Sequence, residues 1–494
     1  MRMIVKKSKM TTGGPLIALI HDKDAKDLNL KSGDRVQITT KKDQIVCVID
    51  VDKGNIIESG EILLFYETSR LVNDREVEIS YYPKPKSIEY IKKKLKGVEL
   101  EKEEIYEITK DIVQGNLTET ELTYFVSANY IHEMSMNEVV ATTNAMVETG
   151  ERLIFNDNFV TADKHCIGGV AGNRTTPIVV PIVACAGVRM PKTSSRSITS
   201  PSGTADTMEV MCNVNIDIEK MKEIISKENG CLVWGGASQL APADDKIIKI
   251  EHAMSLDPTG QLLASILAKK KSVSATHILI DIPWGKGAKI EEKAKALKLK
   301  KLFETLGRRL DMYIKVVLTS GVNPIGRGIG PALEAKDILY VLSNDSRAPK
   351  DLKEKSLEMA GEILEMAGKV GKGKGTQEAR KILESGQAYN RFIHILRLQG
   401  LKNADPDKIA MAKYKEVILA NKTGQVLSIS NDLITKAARA TGAPFDKAAG
   451  IFIHKQPNEL VNQDEVIFSV YAESEDKLNV ALEILKDKNL YKIK

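Results

Sequence analysis

Asp163-Lys164-His165-Cys166-Ile167-Gly168-Gly169-Val170 and Ser194-Ser195-Arg196-Ser197-Ile198-Thr199-Ser200-Pro201-Ser202-Gly203-Thr204-Ala205-Asp206 fall within one short stretch of chain, Ala162 to Glu209. The first follows the extended run Phe159-Val160-Thr161-Ala162 and leads into Pro177-Ile178-Val179-Val180-Pro181-Ile182, so it reads as a strand, a loop and a helix start. The second ends at an expected helix, Ala205 to Met211. Unpaired N–H groups at a helix start favour an anion, and glycine lets backbone donors approach it without a Cβ in the way. Lys164, Arg174 and Arg196 add positive charge, while Thr175, Ser194, Ser195 and Thr204 offer hydroxyl donors. Two phosphate sites, or one divided site, are therefore expected.

A single Gly-Gly turn before a helix is ordinary turn chemistry; two such turns, each with a basic residue, favour the anion. No G-x-x-x-x-G-K-[ST] pattern occurs, which excludes a Walker-type loop. Gly326-Arg327-Gly328-Ile329-Gly330-Pro331 is glycine-dense without matching G-x-G-x-x-G, and reads as a turn. Cys166 has no second cysteine or histidine at metal-ligand spacing beyond the adjacent His165. Cys166, Cys185, Cys212 and Cys231 read as small packed side chains, and neither a metal nor a cofactor is expected.

These two segments, followed in the same order by Ser202-Gly203-Thr204-Ala205-Asp206-Thr207-Met208-Glu209, Ala241-Pro242-Ala243-Asp244 and Ala264-Ser265-Ile266-Leu267-Ala268-Lys269-Lys270, resemble the thymidine and pyrimidine-nucleoside phosphorylases. The resemblance runs from about residue 86 to the C-terminus. Where those enzymes carry Ser-Thr after the Lys-His pair, this chain has Cys166-Ile167, and their Ser-Gly-Arg-Gly turn is here Ser194-Ser195-Arg196-Ser197. Their pyrimidine-holding arginine falls at Ile250. A hydroxyl-richer turn suits a substrate that brings its own phosphate. With the extra N-terminal segment, the pattern resembles the AMP phosphorylases within that family, which split AMP with orthophosphate into adenine and ribose 1,5-bisphosphate.

The resemblance implies roles residue by residue. Asp257, in Leu256-Asp257-Pro258-Thr259, matches the general acid that protonates the departing base; by position alone, Asp before Pro also reads as a helix start. Lys164, Thr175, Ser194 and Thr204 match orthophosphate ligands, and His165 sits among them as a candidate donor that could orient ribose or base. The turn Ser195, Arg196, Ser197, Ile198, Thr199 and Ser200 is expected on the 5′-phosphate, with Gly169 letting its loop close over the sugar. Ser265 and Lys289 match substrate-contacting positions, and Lys269 a base-binding lysine, although Lys289 and Lys269 also read as solvated surface lysines. CMP and UMP remain open as further substrates, a thymidine or uridine phosphorylase stands as the alternative, and a noncatalytic nucleotide-binding regulator comes third.

At 494 residues the chain exceeds one core, and a 43% hydrophobic content indicates a folded multidomain protein. No apolar run reaches about 18 residues, so no membrane span is expected. The net charge of +6 comes with interspersed signs, as in Lys92-Lys93-Lys94-Leu95-Lys96-Gly97-Val98-Glu99, and aromatics are only 5%, which argues against a nucleic-acid surface. Met1-Arg2-Met3-Ile4-Val5-Lys6-Lys7 is basic without a secretory apolar core, and the cytoplasm is the expected compartment.

The expected fold class is α/β multidomain. Residues 1–84 form a small β-barrel-like domain, from runs such as Leu16–Ile20, Arg35–Thr40, Ile45–Asp50 and Glu76–Tyr82. Residues 87–155 form a helical lobe, with Ile105, Ile108, Ile112 and Val113 on one face and Thr118-Glu119-Thr120-Glu121 as a helix start; about 242–272 complete it. Residues 156–340 form the phosphate-binding α/β lobe, with the strand His277–Asp281, and 341–494 a C-terminal α/β domain expected to give support and oligomer contacts. In the family the active site lies in the cleft between the helical and α/β lobes, and the working form is a homodimer or higher homo-oligomer.

Overall fold

The computed structural model describes residues 1–54, 56–157, 159–197, 200–487 and 489–494. The chain divides into two compact units, Met1–Gly150 with Ala241–Ala268, and Glu151–Leu240 with Lys269–Lys494. The protein is a multidomain α/β protein.

The first unit opens with a closed barrel whose strands run in the order Arg2–Lys7, Glu61–Leu64, Ile17–His21, Gln44–Asp52, Arg35–Thr39, Glu76–Tyr81. Two of these, Arg2–Lys7 and Glu61–Leu64, were not among the expected runs. Their charged ends mask an inward alternation: Met3, Ile62 and Leu64 are buried with Ile20, Ile38, Ile49 and Ile79 in the barrel core. The same unit holds a helical bundle, Ser87–Leu95, Lys102–Gln114, Glu119–Ile131, Met136–Glu148 and Pro242–Met254. Ile105, Ile108 and Ile112 lie in its core, and Val113 packs at the edge. Thr118 caps its helix as expected: its hydroxyl accepts from Glu121 N while Glu121 reaches back to Thr118 N. Arg35 of the barrel donates from Nε to Asn116 O at 3.0 Å and pairs with Glu121, joining barrel to bundle.

The second unit is built on parallel strands in the spatial order Gly230–Trp234, Met190–Ser194, Ala162–Cys166, His277–Trp284, Tyr313–Ser320. The Thr161–Arg189 bridge joins the two strand groups, with Ala162 N donating to Arg189 O at 2.7 Å. The buried helices Thr176–Cys185, Pro331–Leu342, Lys350–Met366 and Gln387–Leu398 share one core with Ala162, Met190, Leu232 and Leu279. Parallel strands covered in this way leave their carboxyl ends as the natural ligand edge.

Two local expectations change. Asp163 and Lys164 belong to the strand Ala162–Cys166 rather than to a loop: the segment pairs in parallel with His277–Trp284, and the distant Lys192 and Lys270 neutralise the buried Asp163. Gly328–Ile329, expected as a turn, is a short strand pairing antiparallel with Gly450–Ile453, a partner over 100 residues away and invisible to local reading. That sheet continues through Val466–Ala472 to Tyr414–Leu419, and the helices Asn431–Ala440 and Glu475–Leu485 pack on it around Phe468. Among the described residues, no helix is long and apolar enough to cross a membrane.

Candidate active site

Within the second unit, Lys164 lies in the strand Ala162–Cys166, Ser194 ends the strand Met190–Ser194, and Thr175 and Thr204 stand at the starts of the helices Thr176–Cys185 and Thr204–Met211. Lys164 is only 1% exposed, and its Nζ donates to Thr175 Oγ1 at 2.7 Å. Among the described residues it meets no carboxylate at ion-pair distance. Thr175 is the N-cap of the helix Thr176–Cys185, whose first turn carries Pro177, so the lysine stands at a helix start. Burial pushes the Lys164 pKa below the ordinary lysine value, although Cys166 and Asp281 pull it back up. An ammonium has three donors, and here one protein acceptor takes one of them.

Ser194 ends the neighbouring strand, and its Oγ is buried with no hydrogen-bond partner among the described residues. Asn173 Oδ1 is in the same condition, while Asn173 Nδ2 donates to Cys166 Sγ at 3.4 Å. Polar groups left unpaired in a packed interior are costly, so they mark where a ligand or water completes the set. His165 is half-buried; burial first, then the charges of Lys270, Lys192 and Lys164, hold its pKa well below the ordinary imidazole value. It is therefore a neutral imidazole at neutral pH.

Behind these donors lie closed ion networks. Asp163, fully buried, pairs with Lys192 Nζ at 3.0 Å and Lys270 Nζ at 2.8 Å. Asp281 accepts from Thr319 Oγ1 at 2.6 Å and pairs with Lys355 at 3.0 Å. Burial raises both carboxyl pKa values, but the adjacent ammonium charges outweigh it and leave both below the ordinary range. Arg174 spans three groups: Nε to Glu334 at 2.6 Å, one terminal nitrogen to Thr204 Oγ1 at 3.1 Å, the other to Ser202 O at 2.8 Å. Glu334, Lys192, Lys270 and Lys355 carry no local sequence signal, because each partner comes from a different element.

Two glycines set how closely the loops approach. Gly169 has φ of +85°, and a Cβ there would lie 2.1 Å from Lys289 N, so the Gly168-Gly169 loop touches the backbone of the Lys289 loop. Gly203 lies beneath the serine turn, where a Cβ would meet Ser197 N at 2.6 Å and Ser195 O at 2.7 Å. Thr204 opens the helix Thr204–Met211, one residue earlier than expected.

In the serine turn Ser195 and Ser200 are exposed, and Ser197 Oγ lies 2.9 Å from Ser200 Oγ. Ile198 and Thr199 lie outside the described residues. Arg196 is not an open cation: its two terminal nitrogens meet Glu209 at 2.6 and 2.7 Å, and its guanidinium sits 4.9 Å from the Trp234 ring. Asp257 and Ser265 belong to the first unit, Asp257 exposed ahead of the helix Thr259–Ser272 and Ser265 half-buried within it. Lys269 is half-buried and Lys289 exposed. Ile250 packs into the helical core of the first unit.

Residues 88–150 match the helical bundle domain of a glycosyl transferase family, 158–277 its α/β domain, and 425–492 the pyrimidine nucleoside phosphorylase C-terminal domain. The α/β architecture also resembles the solved structure of anthranilate phosphoribosyltransferase from Thermus thermophilus. That likeness has a TM-score of 0.50 and 18% identity over 63% of this chain and 98% of the other, and it bears on fold alone.

The chain belongs to the family of the AMP and thymidine phosphorylases. It is 43% identical to AMP phosphorylase 1 of Archaeoglobus fulgidus over 95% of this chain and 93% of that one. AMP phosphorylase of Pyrococcus furiosus is 44% identical over 98% and 96%. A Legionella pneumophila (strain Paris) protein named "Putative thymidine phosphorylase" is 41% identical over 92% and 87%.

Proposed function

We propose that this protein is a pentosyltransferase that cleaves AMP with orthophosphate into adenine and ribose 1,5-bisphosphate. The observation that carries the reading is Lys164: a buried lysine in the strand Ala162–Cys166, its Nζ bonded to one hydroxyl and to no carboxylate among the described residues. Such a charge is costly to bury unless an anion completes it. Thr175, Ser194 and Thr204 supply hydroxyls for the same orthophosphate, and neutral His165 supplies a further polar contact there. The serine turn, with Ser195, Ser197, Ile198, Thr199 and Ser200, receives the 5′-phosphate.

An orthophosphate oxygen forms the new bond to C1′ while the bond from C1′ to the base nitrogen breaks, its electron pair leaving with the base. Asp257 gives that base a proton on a ring nitrogen and is left as a carboxylate. Ser265 and Lys289 contact the nucleotide, and Gly169 admits the sugar against the Lys289 loop. The AMP phosphorylase names among the relatives, together with the apolar Ile250 where the pyrimidine enzymes carry arginine, favour AMP over a pyrimidine nucleoside. The working compartment is read as the cytoplasm and the working form as a homo-oligomer, on the scattered free cysteines and the family resemblance.

AMP, adenosine, thymidine and uridine, each supplied with orthophosphate, separate the readings by release of free base. Adenine from AMP, with release dependent on orthophosphate, is expected. Cleavage of thymidine or uridine without AMP gives the pyrimidine-nucleoside alternative. Tight nucleotide binding without any cleavage makes the protein a regulator.

A further inference from the structure

We infer that Asn173 selects the attacking anion: its side-chain oxygen accepts a hydrogen from orthophosphate, so the Lys164 corner takes tetrahedral oxyanions that carry a hydrogen, phosphate and arsenate, in preference to sulfate, which carries none. The inference rests on the orthophosphate reading of Lys164 and deepens it.

Two rungs lace the strand Ala162–Cys166 to the segment that follows it. Side chains two apart on a strand share a face, so Lys164 and Cys166 lie on the same side. Lys164 Nζ donates to Thr175 Oγ1 at 2.7 Å, and Cys166 Sγ accepts from Asn173 Nδ2 at 3.4 Å. Cys166 and Lys164 are close enough for each to shift the other's proton affinity. Each rung leaves polar capacity over. The ammonium has donors beyond the one that Thr175 takes, and Asn173 Oδ1 is a buried acceptor with no partner among the described residues. Burial, then Asp281, raises the Cys166 pKa, so the sulfur stays a thiol rather than an anion that would repel the ligand.

Asn173 is carried on backbone held from both sides. Before it, Gly172 has φ of +68°, and a Cβ there would lie 2.2 Å from Ile325 O. Ala171 O accepts from Ile325 N at 3.0 Å. After it, Arg174 is tied to Glu334, Thr204 and Ser202.

Lysine and hydroxyl donors serve any oxyanion, whereas an amide oxygen is satisfied only by an oxygen that bears a hydrogen. Orthophosphate and arsenate keep one across the neutral range. Against sulfate, Asn173 Oδ1 would remain unpaired and face a negative oxygen, the penalty by which a polar site rejects a close analogue.

The test is calorimetric titration of the full chain, Asn173→Leu and Asn173→Ala with phosphate, arsenate and sulfate. Mildly alkaline pH makes orthophosphate chiefly the monohydrogen dianion, equal to sulfate in charge. The wild type should bind phosphate and arsenate about tenfold or more tightly than sulfate. Both variants should lose affinity for phosphate and arsenate while keeping it for sulfate, so that the ratio falls toward one. A wild type that binds sulfate as tightly as phosphate overturns the inference, since the amide would then present its Nδ2. Variants that weaken all three anions equally, or that keep the wild-type ratio, overturn it as well. A wild type that binds none of the three sinks the orthophosphate reading itself, a failure distinct from lost discrimination.

Discussion

Two neighbouring strands of the second unit hold basic residues in opposite conditions. Within Ala162–Cys166, Lys164 is buried with a single hydroxyl partner, and Ser194 Oγ on the neighbouring strand is unsatisfied among the described residues. After Met190–Ser194, Arg196 is more exposed, yet its guanidinium is closed in by Glu209, Asp206 and the Trp234 ring. The basic residue that looks more available is the one already committed. An incomplete set of buried polar groups marks a ligand position, whereas a complete network marks the scaffold that shapes one.

The largest effect expected of any substitution lies outside both strands. Asp257→Asn keeps the side-chain shape and removes the proton, so kcat for AMP should fall by about 10²–10⁴ with AMP binding retained. Near-wild-type turnover would remove Asp257 from the acid role. AMP binding would be followed by protection against thermal unfolding.

A smaller effect sharpens the comparison from the backbone side. In Gly169→Ala the new methyl would sit 2.1 Å from Lys289 N at a φ of +85°, so one of the two loops must move. A cost of about 1–3 kcal/mol is expected, read as a roughly five- to 160-fold loss in kcat/KM for AMP. A fully active Gly169→Ala would mean that this loop contact does not shape the site.

The sequence made the candidate ligands readable because motifs keep hydroxyls, glycines and cations at fixed spacing. Lys164, Thr175, Ser194 and Thr204 all lie in the second unit, with Lys164 bonded to Thr175 and Arg174 to Thr204. The sequence could not show that Asp163-Lys164-His165 is strand: three polar residues in a row read as loop, and what makes them strand is the pairing with His277–Trp284, with Lys192 and Lys270 neutralising Asp163, all reached through the fold. The strand Arg2–Lys7 was hidden in the same way, its inward Met3 outweighed in a local reading by flanking charges. Arg196 was expected on the 5′-phosphate, and its carboxylate partners were not readable, since Lys447 lies 241 residues from the Asp206 it bridges. Local pattern reveals which groups are present. Whether a charge is already spoken for depends on contacts distant in sequence.

The sharpest test compares the wild type with Lys164→Met by thermal unfolding, with and without orthophosphate. A buried ammonium without a carboxylate partner costs stability, so without phosphate Lys164→Met should unfold at a higher temperature than the wild type. The wild type should gain about 2.7 kcal/mol at a phosphate concentration a hundred times its Kd, and the variant almost nothing. The depressed Lys164 pKa adds a sign: as pH rises through the folded value, the wild type loses its phosphate-induced gain. Its phosphate-free stability rises from there toward the unfolded lysine value of about 10.4, because the unfolded chain still holds the proton. If Lys164→Met is less stable than the wild type and gains as much from phosphate, Lys164 is not the orthophosphate ligand and the account fails at its centre.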